Sequence, residues 1–105
     1  MNQLQIFNHE MFGELQVLME NGEVYFPATD VANILGYTNP HKAIRDHCKE
    51  KGITIRSVLT SGGEQQKKFI TEGNLYRLIT RSKLPEAEKF EVWVFDEILP
   101  TIRRT

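Results

Sequence analysis

A helix stop and a helix start only three positions apart, Gly36 and the pair Asn39-Pro40, constrain this chain more than any other feature. Glycine lacks a Cβ and closes a helix C-terminus cheaply in the left-handed conformation, whereas asparagine is a strong cap and proline suits the first helical position. Before the stop, Val31, Ile34 and Leu35 share one helical face, with Thr29 placed to cap. The stretch from Phe26 to Cys48 therefore predicts two short helices joined by a tight turn.

At 3.6 residues per turn the second helix has two characters. Ile44, Cys48 and the ring of His47 point one way with Ala43 beside them, while Lys42, Arg45 and Lys49 share the other face with His41 on its flank. A helix of that kind packs on one side and offers cations on the other. In a helix-turn-helix the second helix enters the major groove, which would assign Asn39, His41, Lys42 and Arg45 to base and phosphate contact, with Lys49 on the same face. Basic solvent faces are also ordinary surfaces, so this stretch alone leaves nucleic-acid contact open.

The net charge of −1 argues against a uniformly basic nucleic-acid binder, but its distribution is uneven. Residues 1–35 carry five acids and no Lys or Arg, residues 36–83 carry ten bases against four acids, and residues 84–105 carry three bases against five acids. Such segregation can present one cationic side to a polyanion, or complementary patches to a protein partner or a second copy. The length of 105 residues fits one domain with its own core, and 40% hydrophobic with 26% charged residues is ordinary for a folded protein. The lone cysteine, Cys48, excludes an internal disulfide and fits a reducing compartment as a packed small hydrophobe. The sequence shows no signal peptide, lipidation motif or apolar run of membrane length, so the expectation is a soluble cytoplasmic protein without a membrane partner.

Taken in order, Gln3 to Phe7, Leu15 to Met19 and Val24 to Phe26 read as strands, with Asn21-Gly22 a two-residue hairpin signal. Leu4, Ile6, Leu15, Val17 and Met19 are expected to form the face that covers the helices, and the acids a solvated surface. After an exit turn at Lys49 to Gly52, Ile53 to Leu59 and Gln66 to Ile70 read as a second hairpin around Thr60-Ser61-Gly62-Gly63-Glu64. A hairpin tip explains both glycines, since no phosphate-loop pattern surrounds them. A hairpin following a helix pair resembles a wing, and Arg56, Lys67 and Lys68 on it would suit phosphates. Thr71 is placed to cap a third helix whose buried stripe is Leu75, Leu78 and Ile79, and Pro85 to start a last helix that Pro100 stops. That last helix carries one apolar stripe of Ala87, Phe90, Val94 and Ile98 and a second of Val92, Phe95 and Leu99, with Trp93 apart from both. Val92, Trp93, Phe95 and Leu99 are therefore candidate interface residues for a homodimer or a docked partner. The predicted fold class is α+β: a small antiparallel sheet with a helix-turn-helix-like pair, a wing-like β-hairpin and two C-terminal helices.

Three blocks, Phe26 to Pro40, Phe69 to Ile79 and Arg81 to Arg103, closely resemble the Bro-N domain, the N-terminal domain of baculovirus BRO proteins and of many phage and prophage antirepressors. The resemblance covers nearly the whole chain in order and leans to the phage branch. It implies a nucleic-acid-binding domain of viral or prophage origin, acting in a bacterial host cell, and no catalytic residue. Family members often carry a further C-terminal domain, so a chain ending at Thr105 is either a short protein or an excised domain.

Two functions compete at this level. One is a DNA-binding regulator using Asn39, His41, Lys42, Arg45 and Lys49 with Arg56, Lys67 and Lys68. The other is a module that captures a phage repressor protein or a second copy through the apolar last helix, without touching DNA. Catalysis, metal or cofactor binding is not expected, because His9, His41, His47 and Cys48 match no zinc or Cys-His spacing.

Overall fold

The computed structural model describes residues 3–103. Strands β1 (Gln3–His9), β2 (Gly13–Glu20), β3 (Glu23–Pro27), β4 (Ile53–Thr60) and β5 (Gly63–Thr71) form one antiparallel sheet in the order β1-β2-β3-β5-β4. Helices α1 (Ala28–Ile34) and α2 (Pro40–His47) are inserted between β3 and β4, and α3 (Glu72–Arg81) follows β5. The chain ends in a continuous helical rod made of α4 (Ala87–Val92), a π-helical stretch (Trp93–Ile98) and α5 (Leu99–Arg103).

Asn21 and Gly22 both adopt positive φ, 52° and 79°, the geometry of a two-residue turn whose twist matches the flanking strands. The hairpin register corrects the expected inner face. Leu4 pairs with Leu18 and Ile6 with Gln16, whereas Phe7 pairs with Leu15. Phe7 therefore joins Leu15, Val17 and Met19 against the helices, and Leu4 and Ile6 point to the other side and stay exposed. Phe26 and Ile70 are neighbours across the β3–β5 pair, so the second hairpin is sutured into the first sheet at its base rather than standing apart as a wing. On the sheet's other side Leu18, Val58 and Phe69 form a second small core with Tyr25 packed against it.

Helix α1 begins at Ala28 behind Pro27, and no side chain caps it; Thr29 lies inside the first turn rather than before it. The strand runs through Pro27, so the entry is set by the sheet and not by a hydroxyl. Gly36 takes φ 83° and its N–H bonds to Asn33 O, closing α1 as the sequence implies. Asn39 and Thr71 cap α2 and α3 through their side-chain oxygens. The last helix starts at Ala87, after a turn in which Ala87 N–H bonds to Leu84 O.

Pro100 does not stop that helix. Proline removes an N–H and collides with the carbonyl four residues back in a regular α-helix. Here the preceding turn is π-helical, with Leu99 N–H bonding to Val94 O five residues back, and the shifted register carries the chain through Pro100 to Arg103. The same shift decides what is buried. Trp93 with Ile98 and Val94 with Leu99 are spaced five apart, and all four lie in the main core. Trp93 is 4% exposed and Leu99 1%, so both are core residues and not interface; Val92, at 48%, faces solvent. Trp93 is held by an aromatic cluster with His9, Phe12 and Phe90, at centroid distances of 4.8, 6.0 and 6.0 Å.

Asn74 is completely buried on α3, and its carboxamide bonds both ways to one residue. Its Oδ1 accepts from Lys49 N–H at 2.8 Å and its Nδ2 donates to Lys49 O at 2.9 Å. Replacing Asn74 with Ala leaves two backbone groups unpaired, each costing on the order of 1–3 kcal/mol. The expected loss is about 2–4 kcal/mol of unfolding free energy in urea; an unchanged midpoint would contradict the assignment.

Candidate nucleic-acid interface

Helix α2 is fixed at both ends. At its start, Asn39 Oδ1 accepts from Lys42 N–H at 3.1 Å. That oxygen is committed to the cap, so Asn39 serves α2 itself before any ligand. Just ahead of it the Tyr37 hydroxyl donates to Leu78 O at 2.7 Å, and the Ser82 hydroxyl donates to Leu35 O at 2.7 Å, which ties the interhelical turn to α3. At its end, Lys49 is held by Asn74, whose Oδ1 also accepts from Arg77 at 2.9 Å. Ala43 and Ile44 are buried, His47 and Cys48 half-buried, and His41, Lys42, Arg45 and Lys49 exposed, as the helical period predicts.

The exposed face is less purely cationic than the sequence suggests, because Asp46 also lies on it. Lys42 donates to Asp46 at 2.9 Å, and Arg45 Nε lies 3.8 Å from the same carboxylate. The hydrogen bond from Lys42 holds the Asp46 carboxyl below the usual carboxylate range. Lys42 and Asp46 line a cleft beside the α1–α2 turn, whereas His41 and Arg45 line clefts shared with β5.

Two adjoining clefts, each of about 370 Å³, form a trough between α2 and β5. His41 and Lys68 line both; Arg45, Cys48 and Glu50 belong to one, and Lys67 and Asp30 to the other. Lys68 and Arg45 are exposed, and Lys68 makes no ion pair among the described residues.

Arg56 and Lys67 are engaged elsewhere. Arg56 grips Glu20 with Nε to Oε2 at 2.8 Å and Nη2 to Oε1 at 2.6 Å, and its Nη1 donates to Thr54 Oγ1 and Ile55 O. The hydrogen bonds to Glu20 push the guanidinium pKa up. With its donors used this way, Arg56 is a strut beside the small Leu18–Val58–Phe69 core and not a phosphate clamp. Lys67 donates to Asp30 at 2.9 Å. The N-terminal acids are thus not a merely solvated surface, since two of them fold back onto bases of the hairpin.

The structure therefore gathers His41, Arg45 and Lys68 around one trough with Lys49 just past the end of α2, pairs Lys67 with Asp30 inside the trough and Lys42 with Asp46 outside it, and engages Arg56 with Glu20. Asn74, which the sequence did not single out, pins the Lys49 backbone just past the end of α2; its position after the Thr71 cap gave no sign that it would be buried. No cluster of three His, Cys, Asp or Glu side chains able to hold a metal occurs among the described residues, and no described helix is long and apolar enough to cross a membrane.

A five-stranded sheet with an inserted helix pair, a trough beside that pair and a C-terminal helical rod defines a small α+β domain in which the outer face of α2 is exposed. Residues 14–100 match the family model described as the BRO family, N-terminal domain, and the chain belongs to that Bro-N family. It is 51% identical to a protein of Haemophilus influenzae over 99% of this chain and 53% of that protein. It is 33% identical to a Bro-N domain-containing protein of Autographa californica nuclear polyhedrosis virus over 91% of this chain and 34% of the relative. To a Bro-N domain-containing protein of Invertebrate iridescent virus 6 it is 34% identical, over 76% of this chain and 24% of that protein. The chain thus spans about half the length of the bacterial relative and a smaller share of the viral ones. No solved structure matches it with statistical significance.

Burial pushes the Cys48 thiol up to about 11 from its ordinary 9.0. The folded protein therefore holds that proton where the unfolded chain has lost it, and stability contributed by this group falls as pH rises between about 9 and 11. At pH 8, iodoacetamide is expected to alkylate Cys48 at least roughly tenfold more slowly in the folded protein than in urea. Equal rates would contradict the burial of the thiol.

Proposed function

We propose that this domain binds DNA along the trough between α2 and β5, as the nucleic-acid-contacting part of a phage or prophage transcriptional regulator of the antirepressor kind. The observation that carries the reading is the convergence of His41, Arg45 and Lys68 from two separate elements onto one trough, with the exposed Lys49 just past the end of α2. Exposed guanidinium and ammonium groups displace counterions condensed on phosphates, and an arginine on the outer face of a helix can bond a guanine edge. Membership of the Bro-N family supports the reading, since the resemblance implies a nucleic-acid-binding domain in antirepressors. The duplex is the favoured form, because α2 is exposed along its outer face as a groove-entering helix must be.

A second reading, docking of a repressor protein or a second copy, keeps one specific observation. Val92 is exposed on the C-terminal rod, and half-buried Phe95 meets the exposed Tyr76 edge-on at 6.1 Å. Without Trp93 and Leu99 this surface is narrower than the sequence suggested.

Titration of labelled duplex at two salt concentrations separates the readings. Affinity is expected to fall steeply with salt. The double substitution Arg45→Ala and Lys68→Ala is expected to weaken binding at least roughly tenfold and to lower the log–log salt slope by about 2. Absence of duplex binding by the parent chain at low salt would contradict the DNA reading and favour protein docking.

A further inference from the structure

A further cleft lies apart from the trough. It measures about 580 Å³ and runs between the α1–α2 turn and the α3–α4 loop. Leu84 and Pro85 contribute an apolar floor, Tyr37 and His47 an aromatic wall, and Arg81 and Lys83 the rim. None of its lining residues belongs to either half of the trough. No carboxylate is among them.

Three features give this cavity a chemical preference. The Tyr37 ring is immobilised by its hydroxyl bond to Leu78 O at 2.7 Å and by the His47 ring 5.8 Å away, so the aromatic wall is in place before any ligand arrives. The exposed side chains of Arg81 and Lys83 make no hydrogen bond or ion pair among the described residues, although several of the chain's other bases are paired. The volume falls within the range of small-molecule sites, about 300–1,000 Å³. A fixed aromatic wall, an apolar floor and two uncompensated cations complement a planar ring joined to an anion.

We propose that this cleft binds a nucleotide, with its base against Tyr37 and its phosphate between Arg81 and Lys83. The nucleotide is either free or one unit of a strand. The strand source has a path, because a smaller cleft of about 150 Å³ shares Tyr37, Thr38 and His47 with this one and continues along α2 to the Lys42–Asp46 pair.

Calorimetric titration of the full chain with deoxyadenosine monophosphate, inorganic phosphate and a short oligodeoxyadenylate tests the site. The variant Arg81→Ala/Lys83→Ala carries the test, because neither side chain holds the fold, and its melting temperature is expected to match the parent's. The mononucleotide is expected to bind saturably and more tightly than inorganic phosphate, and the variant to lose at least roughly tenfold in affinity. If the oligonucleotide alone binds and shows that loss, the strand is the source. A smaller loss for both probes, or no binding of either by the parent, overturns the proposal. The Arg45→Ala/Lys68→Ala variant reports on the trough separately and is expected to leave mononucleotide binding unchanged, so failure of one site is distinguishable from failure of the other.

Discussion

Asn74 is an amide buried in an apolar core, and such a group is tolerated only when its donors and acceptors are satisfied. It meets that condition by copying a backbone pair, accepting from Lys49 N–H and donating to Lys49 O. The residue it grips follows Cys48, the C-cap of α2, and stands directly before the one-turn 3-10 helix Glu50–Gly52 that leads into β4. Gly52 leaves room for it: a Cβ at that position would lie 2.4 Å from Asn74 Nδ2. One side chain on α3 therefore fixes where α2 ends and where the second hairpin begins. The clamp thereby holds the chain between α2 and β4, and β4 pairs with β5, the strand that forms the other wall of the trough.

The distribution of charge follows a second logic. Acids concentrated in the first third of the chain and bases in the middle are brought together in space, so Glu20 meets Arg56 and Asp30 meets Lys67. This pairing removes cations from the hairpin's far side and margin and leaves Arg45, Lys49 and Lys68 on the side of α2. Each pair is an N-terminal acid with a hairpin base, so the folded surface is not the sum of its sequence segments.

Much of this architecture was legible because it depends on local rules. Gly36, Asn39-Pro40 and Asn21-Gly22 dictate turns through their own backbone preferences, and the structure places turns there. The faces of α2 followed from the 3.6 period. What the sequence hid was non-local or of another period. The β1 register depends on the loop that joins it to β2, so the alternation alone put Leu4 and Ile6 on the wrong face. The C-terminal rod buries Trp93 with Ile98 and Val94 with Leu99, an i,i+5 spacing that a search at 3.6 residues reads as two stripes and an orphan. Arg56 looked like a phosphate ligand because nothing near it in sequence is acidic; its partner is 36 residues away. Asn74 looked like one more polar residue in the first turn of a helix.

If DNA lies along the trough as proposed, the outer face of α2 and strand β5, and not the C-terminal rod, meet it. Amide chemical-shift mapping of the isotopically labelled chain with a duplex at low salt tests it most directly. The largest shifts are expected at His41, Arg45, Lys49 and Lys68, with Val92 and Phe95 unmoved. Shifts confined to Val92, Phe95 and Tyr76, or none at α2, would contradict it.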